Sequence, residues 1–258
     1  MSARPLLVFD FDGVIVDGME EYWWSARQAC LRLLGSRFGD TPWPEAVPDA
    51  FLGLRPWVHH GWEMVLLAAE LLRAESPLLR QGIDPVAGSY SQFCQRSLEA
   101  WGWRSEQLQQ ALEQARRDAV LTDRQTWLAR HRPFPGVVER LRSLPAEGTD
   151  WAVLTTKGAE FTAELLKSFQ LSPQGLFGHE SGSKPEVLLR LAAECPLRGF
   201  VEDRRATLER VLATAGLQDL PCYLASWGYL RPEDTQGLPQ GIRLLDQNVL
   251  ATPLATWP

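Results

Sequence analysis

The stretch LLVFDFDGVIVD, residues 6–17, constrains this chain more than any other. Leu6, Leu7, Val8 and Phe9 are consecutive apolar residues of the length and kind that a strand buried on both faces requires. Asp10, Asp12 and Asp17 follow at once, so acids stand where a buried strand reaches the surface. In an open α/β sheet that edge, beyond the carboxyl ends of the strands, is where ligands bind. Asp10 and Asp12 are two residues apart, and on an extended backbone that spacing points both side chains the same way. Carboxylates so close repel when both are ionised, and a hard cation such as Mg2+ takes carboxylate and carbonyl oxygen. The same residues are also compatible with a strand that ends in a solvated acidic turn, Gly13 merely turning the chain.

At 258 residues the chain is long for one domain and short for two, and the pattern along it shows how the length is divided. Residues 18–132 read mostly as helix. Glu20 to Leu34 carries Trp23, Trp24, Ala26, Arg27, Cys30, Leu31 and Leu34 near the helical period, and Gly35 suits its end. A proline-bearing loop is expected over 39–48, helices over 57–72 and 90–101, and another from an N-cap at Ser105 toward Val120. No strand is expected in this insert. The α/β pattern resumes with a helix inside 133–144, then strand 150–155, helix 158–169, helix 184–194, strand 199–203, helix 204–216 and strands 221–229 and 241–245. Such alternation predicts a Rossmann-like parallel sheet with helices on both faces, an α/β core built from residues 1–17 and 133–258, with an all-α module inserted at 18–132.

Composition narrows the partners. The net charge is −6 with 22% charged residues and no basic run, which argues against nucleic acid or an anionic membrane. No apolar run approaches the ~18 residues of a transmembrane helix, and Leu6 to Phe9 is too short for a signal-peptide core, so a soluble, cytoplasmic protein is expected. Cys30, Cys94, Cys195 and Cys222 are scattered and read as buried thiols; the histidines offer no HExxH, which argues against zinc. The tryptophans are expected in the core and at domain interfaces. Nothing in the sequence sets the oligomeric state.

Three further places carry chemistry. Thr155 ends the strand WAVLT before a helix, where a hydroxyl and backbone N–H groups meet an anion, or where a threonine simply caps. Lys184 precedes Pro185 at the start of a helix, an ammonium beside a positive helix end, an arrangement that calls for an anion between them. GFVED repeats the logic of the first strand, an apolar run ending in Glu202 and Asp203.

DFDGVIVD, VLTTKGAEF, the Lys184-Pro185 pair and GFVED resemble, in order, the four motifs of the haloacid dehalogenase-like hydrolases; the TTK stretch and SWGY at 226–229 resemble phosphoglycolate phosphatase-like members, and the Glu-Asp form of GFVED resembles the phosphoglycolate phosphatase and β-phosphoglucomutase branch. The resemblance implies that Asp10 is a nucleophile and Asp12 a general acid and base. Thr155 and Lys184 would bind phosphate, with Thr156 and Lys157 as substrate contacts. Asp10, Asp12, Glu202 and Asp203 would surround Mg2+, and the substrate would be a small phosphorylated metabolite. It also implies that the 18–132 module is a cap closing over the site. The departures are Thr156 in place of Asn, Arg204 in place of Ser, and Thr207 where other members carry an acid. Arg204 and Arg205 either weaken metal binding or point away. Mg2+-dependent phosphomonoester hydrolysis through an aspartyl phosphate is the implied function. A phosphomutase, or a non-enzymatic phosphate- or partner-binding protein of the same fold, is the alternative. In the module, Arg55, at a Gly-Leu-Arg-Pro turn ahead of His59, His60 and Glu63, is a candidate for the acidic far end of a substrate, or else a solvated loop residue.

Overall fold

The computed structural model describes residues 4–35 and 43–258. These residues fall into two compact units, Met1–Asp17 with Arg132–Pro258, and Gly18–His131.

The first unit begins with β1 (Leu6–Phe9), whose four residues are all buried, and a short β2 (Val16–Asp17). Between them the chain folds on itself, Gly13 N–H donating to Val16 O at 2.9 Å while Ile15 and Val16 N–H share Phe11 O. Gly13 has φ +88°, a left-handed conformation that side chains resist.

The second unit is helical: α1 (Met19–Leu34), α2 (Asp49–Leu54), α3 (Gly61–Glu70), α4 (Pro77–Gln81), α5 (Ile83–Gly88), α6 (Tyr90–Trp101) and α7 (Ser105–Ala129). Its core joins α1, α3 and α7 through Tyr22, Trp23, Ala26, Val65, Leu66, Leu108 and Leu112, all at most 1% exposed. The helix expected over 57–72 is shorter, because His60 is extended and α3 starts after it. Arg55–Trp57 is instead a 3-10 turn closing α2, a helix too short for periodicity to reveal. The helix from Ser105 runs past Val120 to Ala129, with non-helical Asp123 joining its two parts. Its cap position is Arg104, whose N–H donates to Gln107 Oε1 at 3.0 Å, not Ser105. Of the loop expected over 39–48, residues 39–42 lie outside the described residues.

Returning to the first unit, β3 (Arg132–Pro133) pairs antiparallel with β2, Asp17 opposite Arg132, which makes Arg132 part of the sheet unit, one residue earlier than the sequence suggested. Then follow α8 (Val137–Ser143), β4 (Asp150–Leu154), α9 (Ala159–Ser168), β5 (Gly175–Phe177), α10 (Lys184–Glu194), β6 (Leu197–Glu202), α11 (Arg205–Leu212), β7 (Cys222–Ala225), β8 (Ile242–Leu245) and α12 (Gln247–Leu250). The main sheet is ordered β5-β4-β1-β6-β7-β8, and every pairing in it is parallel. The three residues of β5 carry too little pattern to be read as a strand from sequence.

Packing follows the two-residue alternation of a strand. Leu6 and Val8 join Val187, Leu188, Leu208, Val211 and Phe200 in one cluster, while Leu7 and Phe9 are equally buried on the other face. Burying each such side chain contributes about 1.5–3 kcal/mol. The chain starts in the middle of the sheet and runs first to the β5 edge and then to the β8 edge, so the direction of winding reverses beside β1. The crevice at such a switch point lies beyond the strands' carboxyl ends. Cys30, Cys94 and Cys222 are buried thiols, but Cys195 is half-buried. Only Trp23, Trp127, Trp151 and Trp257 are buried among the tryptophans, and the rest are partly exposed. No helix among the described residues is long and apolar enough to cross a membrane.

Candidate active site

Asp10 is the first residue beyond β1, held there by its N–H donating to Val201 O of β6 at 2.8 Å. Phe9 is level with Val153 of β4 and Val201 of β6, so the ends of three neighbouring strands deliver Asp10, Thr155 and the pair Glu202 and Asp203 to one edge. Lys184, the first residue of α10, reaches the same place. Its Nζ lies 2.8 Å from Asp10 Oδ1 and 2.6 Å from Glu202 Oε2. The anion that Lys184 and the helix end called for is therefore supplied by the protein's own carboxylates.

The electrostatics follow from burial. Asp10 is 7% exposed and Glu202 2%. Burial, reinforced by the charge of Glu202 and opposed by Lys184, raises the Asp10 pKa to about 7. Burial also raises Glu202, with Lys184 opposing and Asp203 adding to the rise. Burial disfavours the Lys184 ammonium, yet Asp10 and Glu202 outweigh it and hold the amine well above its usual value. One oxygen from each of Asp10, Glu202 and Asp203 lies within 4.8 Å of the others. Asp10 Oδ1 is buried with the Lys184 ammonium 2.8 Å from it. Three buried carboxylates packed together, Asp10 and Glu202 raised in pKa, fit a hard divalent cation.

Asp12 is not in that group of three. Its Oδ1 faces Lys157 Nζ at 3.2 Å, and the lysine side chain is only 2% exposed. Lys157, expected on the substrate, is thus engaged with the second aspartate, 145 residues away in sequence. Thr155 is buried, its N–H donates to Phe177 O at 2.9 Å and its Oγ1 accepts from Lys157 N–H at 3.1 Å, so the threonine also fixes the Lys157 backbone. Thr156 is exposed. Arg205 turns away from the acids, bonding Glu209 at 2.8 Å and the carbonyls of Gln236 and Gly237. Arg204 is half-buried at the N-terminal end of α11. Arg55 belongs to the helical unit, with its guanidinium 5.3 Å from the centroid of the Tyr22 ring.

The sequence reading underrated one segment. The strand expected over 221–229 ends at Ala225, and residues 226–229 turn. Tyr229 N–H donates to Asp203 Oδ2 at 2.9 Å, Tyr229 OH donates to Asp17 Oδ1 at 2.6 Å, and Trp227 Nε1 donates to Val14 O at 3.0 Å. The available signal was Gly228, where a strand as long as the one expected rarely tolerates glycine.

No curated protein matches this chain. Solved structures of like fold include that of a predicted phosphatase from Clostridium acetobutylicum, 15% identical over 97% of each chain with a TM-score of 0.60. A predicted phosphoglycolate phosphatase from Haemophilus somnus is 16% identical over 97% of this chain and 96% of its own, TM-score 0.59. A haloacid dehalogenase-like family hydrolase from Streptococcus pneumoniae is 12% identical over 98% and 96%, TM-score 0.53. At such identities the likeness is one of fold. The model of the haloacid dehalogenase-like hydrolases matches residues 5–213, a span that takes in Asp10, Asp12, Thr155, Lys184, Glu202 and Asp203, and the chain belongs to that family.

Proposed function

We propose that the protein is a Mg2+-dependent phosphomonoesterase acting on a small phosphorylated metabolite. The observation that carries this reading is Asp10 at the switch point, raised to a pKa of about 7 and sharing one ammonium with Glu202 beside Asp203. Asp10, Glu202 and Asp203 would hold the ion, which when bound neutralises carboxylate and phosphoryl charge.

In the first step an Asp10 carboxylate oxygen bonds to phosphorus and the ester P–O bond breaks, the electron pair leaving with the substrate oxygen. Asp12 gives that oxygen its proton. In the second step Asp12 takes a proton from water, whose oxygen attacks phosphorus and displaces Asp10, releasing inorganic phosphate. Lys157 keeps the Asp12 carboxylate in place during both transfers, and Lys184 and Thr155 steady the phosphoryl oxygens, since phosphoryl transfer is mostly positioning and charge stabilisation. The helical unit is the family's cap in this reading, and its Arg55 the candidate for an acidic substrate end.

The test is phosphate release from a panel of small phosphate esters and one aryl phosphate, with Mg2+ and with chelator. Turnover that requires Mg2+ is expected on at least the aryl ester. Absence of turnover across the panel would turn the reading toward a protein that only binds phosphate.

A further inference from the structure

The segment Trp227–Gly228–Tyr229 touches both acidic motifs, and its contacts are specific. Asp203 lies between two glycines: a Cβ at Gly13 would stand 1.9 Å from Asp203 Oδ2, and one at Gly228 would stand 2.2 Å from Asp203 Cβ. No side chain fits at either place, so the backbones of the first loop and of the segment close on this carboxylate from two sides. Its Oδ2 accepts the Tyr229 N–H. The position of that N–H is fixed in turn by the same residue's phenol on Asp17 and by the Trp227 indole on Val14 O. Val14 in the turn after Asp12, and Asp17, last residue of β2, both belong to the segment that follows Asp10 and Asp12.

We infer that residues 227–229 form a clasp that sets the orientation of Asp203 for the cation, with Tyr229 and Asp17 as positioning residues. The inference rests on the metal reading above. A carboxylate that must find its orientation on binding spends part of the binding free energy on ordering, and one fixed beforehand does not. Second partners that orient a ligand side chain tune metal affinity in this way. The clasp is made entirely from the sheet unit, and it links the fourth motif to the end of the first through a phenol and a carboxylate separated by 212 residues.

The experiment is Mg2+ binding to the full chain without substrate, by calorimetry, with melting in chelator as the control for folding. Tyr229→Phe removes the phenol but keeps the ring and the N–H, and Asp17→Ala removes the acceptor. Each is expected to weaken Mg2+ binding about 10-fold, as loss of a hydrogen bond to a charged group does. The double variant is expected to be no weaker than either single one, and Asp17→Asn, which still offers an oxygen to the phenol, to bind within about 3-fold of wild type by the same reasoning. Melting in chelator is expected to change little. Wild-type affinity in Tyr229→Phe, or losses that multiply in the double variant, would overturn the clasp. If Tyr229→Phe fails to fold, Asp17→Ala and Asp17→Asn carry the same comparison. A wild type that takes up no Mg2+ would overturn the metal reading and the clasp with it, whereas a wild type that binds beside variants that bind equally would overturn the clasp alone.

Discussion

Glu21 in the helical unit and Asp10 in the sheet unit are both carboxylates with almost no exposure, yet their neighbours differ in kind. Glu21 is fully served. Arg116 donates to both of its oxygens at 2.8 and 2.9 Å, Trp127 Nε1 donates at 3.2 Å, and Ser25 Oγ donates as well. His131 Nε2 lies 3.7 Å away, while its Nδ1 pairs with Trp127 O at 3.1 Å. One anion meets one guanidinium, and helices α1 and α7 are tied together by the pair. At Asp10 the arrangement differs, with Asp10 and Glu202 sharing the ammonium of Lys184 and an oxygen of Asp203 within 4.8 Å of both. A balanced buried pair is a fastening. Two buried carboxylates that share one ammonium and are raised in pKa by burial are perturbed groups of the sort that mark functional sites.

The largest expected effect separates the two. Asp10→Asn is expected to abolish phosphate release while melting in chelator holds or rises, because the change removes an unfavourable buried charge and keeps the volume. Full activity in that variant, or its unfolding, would erase the distinction. Arg116→Ala is expected to do the opposite kind of damage, lowering stability by about 3–5 kcal/mol in a denaturant titration because buried Glu21 loses the guanidinium that donates to both its oxygens. Replacing both charges together, as in Glu21→Gln with Arg116→Met, is expected to cost less than Arg116→Ala alone, and a double variant that loses more would show the pair to be worth more than its desolvation.

The pH dependence tests the Asp10 side of the comparison alone. A carboxylate raised from 3.8 to about 7 on folding stabilises the native state fully below the unfolded value and loses that contribution as pH rises through the folded one. Without metal, stability should therefore decline between about pH 4 and 7, by at most about 1.4 kcal/mol per unit from this group, with Glu202 acting in the same direction. Lys184, raised above its ordinary value, titrates above this window and adds no slope within it. Mg2+ should flatten the decline, as should Asp10→Asn. Melting temperatures across that range read the slope, and a slope unchanged by both would remove Asp10 as its source.

How much of this was legible in the sequence depended on whether the information was local. Asp10, Glu202 and Asp203 stand directly after apolar runs, and a strand that ends in acids announces its own edge. Lys184 was legible through Pro185, which sits in the first turn of α10. What Lys157 faces was not, since Asp12 lies far away in the chain and nothing near TTK names it. Tyr229 was hidden because CYLASWGY reads as one long strand, although the ladder with β8 stops at Ala225. Short elements failed for the same reason: α2 and β5 bury too few residues to impose a period. The Glu21 cluster was illegible throughout, because a glutamate, an arginine and a histidine on helices look solvated until the helices pack.

The central claim is covalent chemistry at Asp10, and one measurement meets it directly. Wild-type protein mixed with an aryl phosphate and Mg2+, quenched in acid within a turnover and digested, is expected to carry a phosphoryl group on the peptide containing Asp10, removable by hydroxylamine and missing in Asp10→Asn. Phosphate release proceeding at full rate with no such adduct, or with the adduct on another residue, would contradict the account.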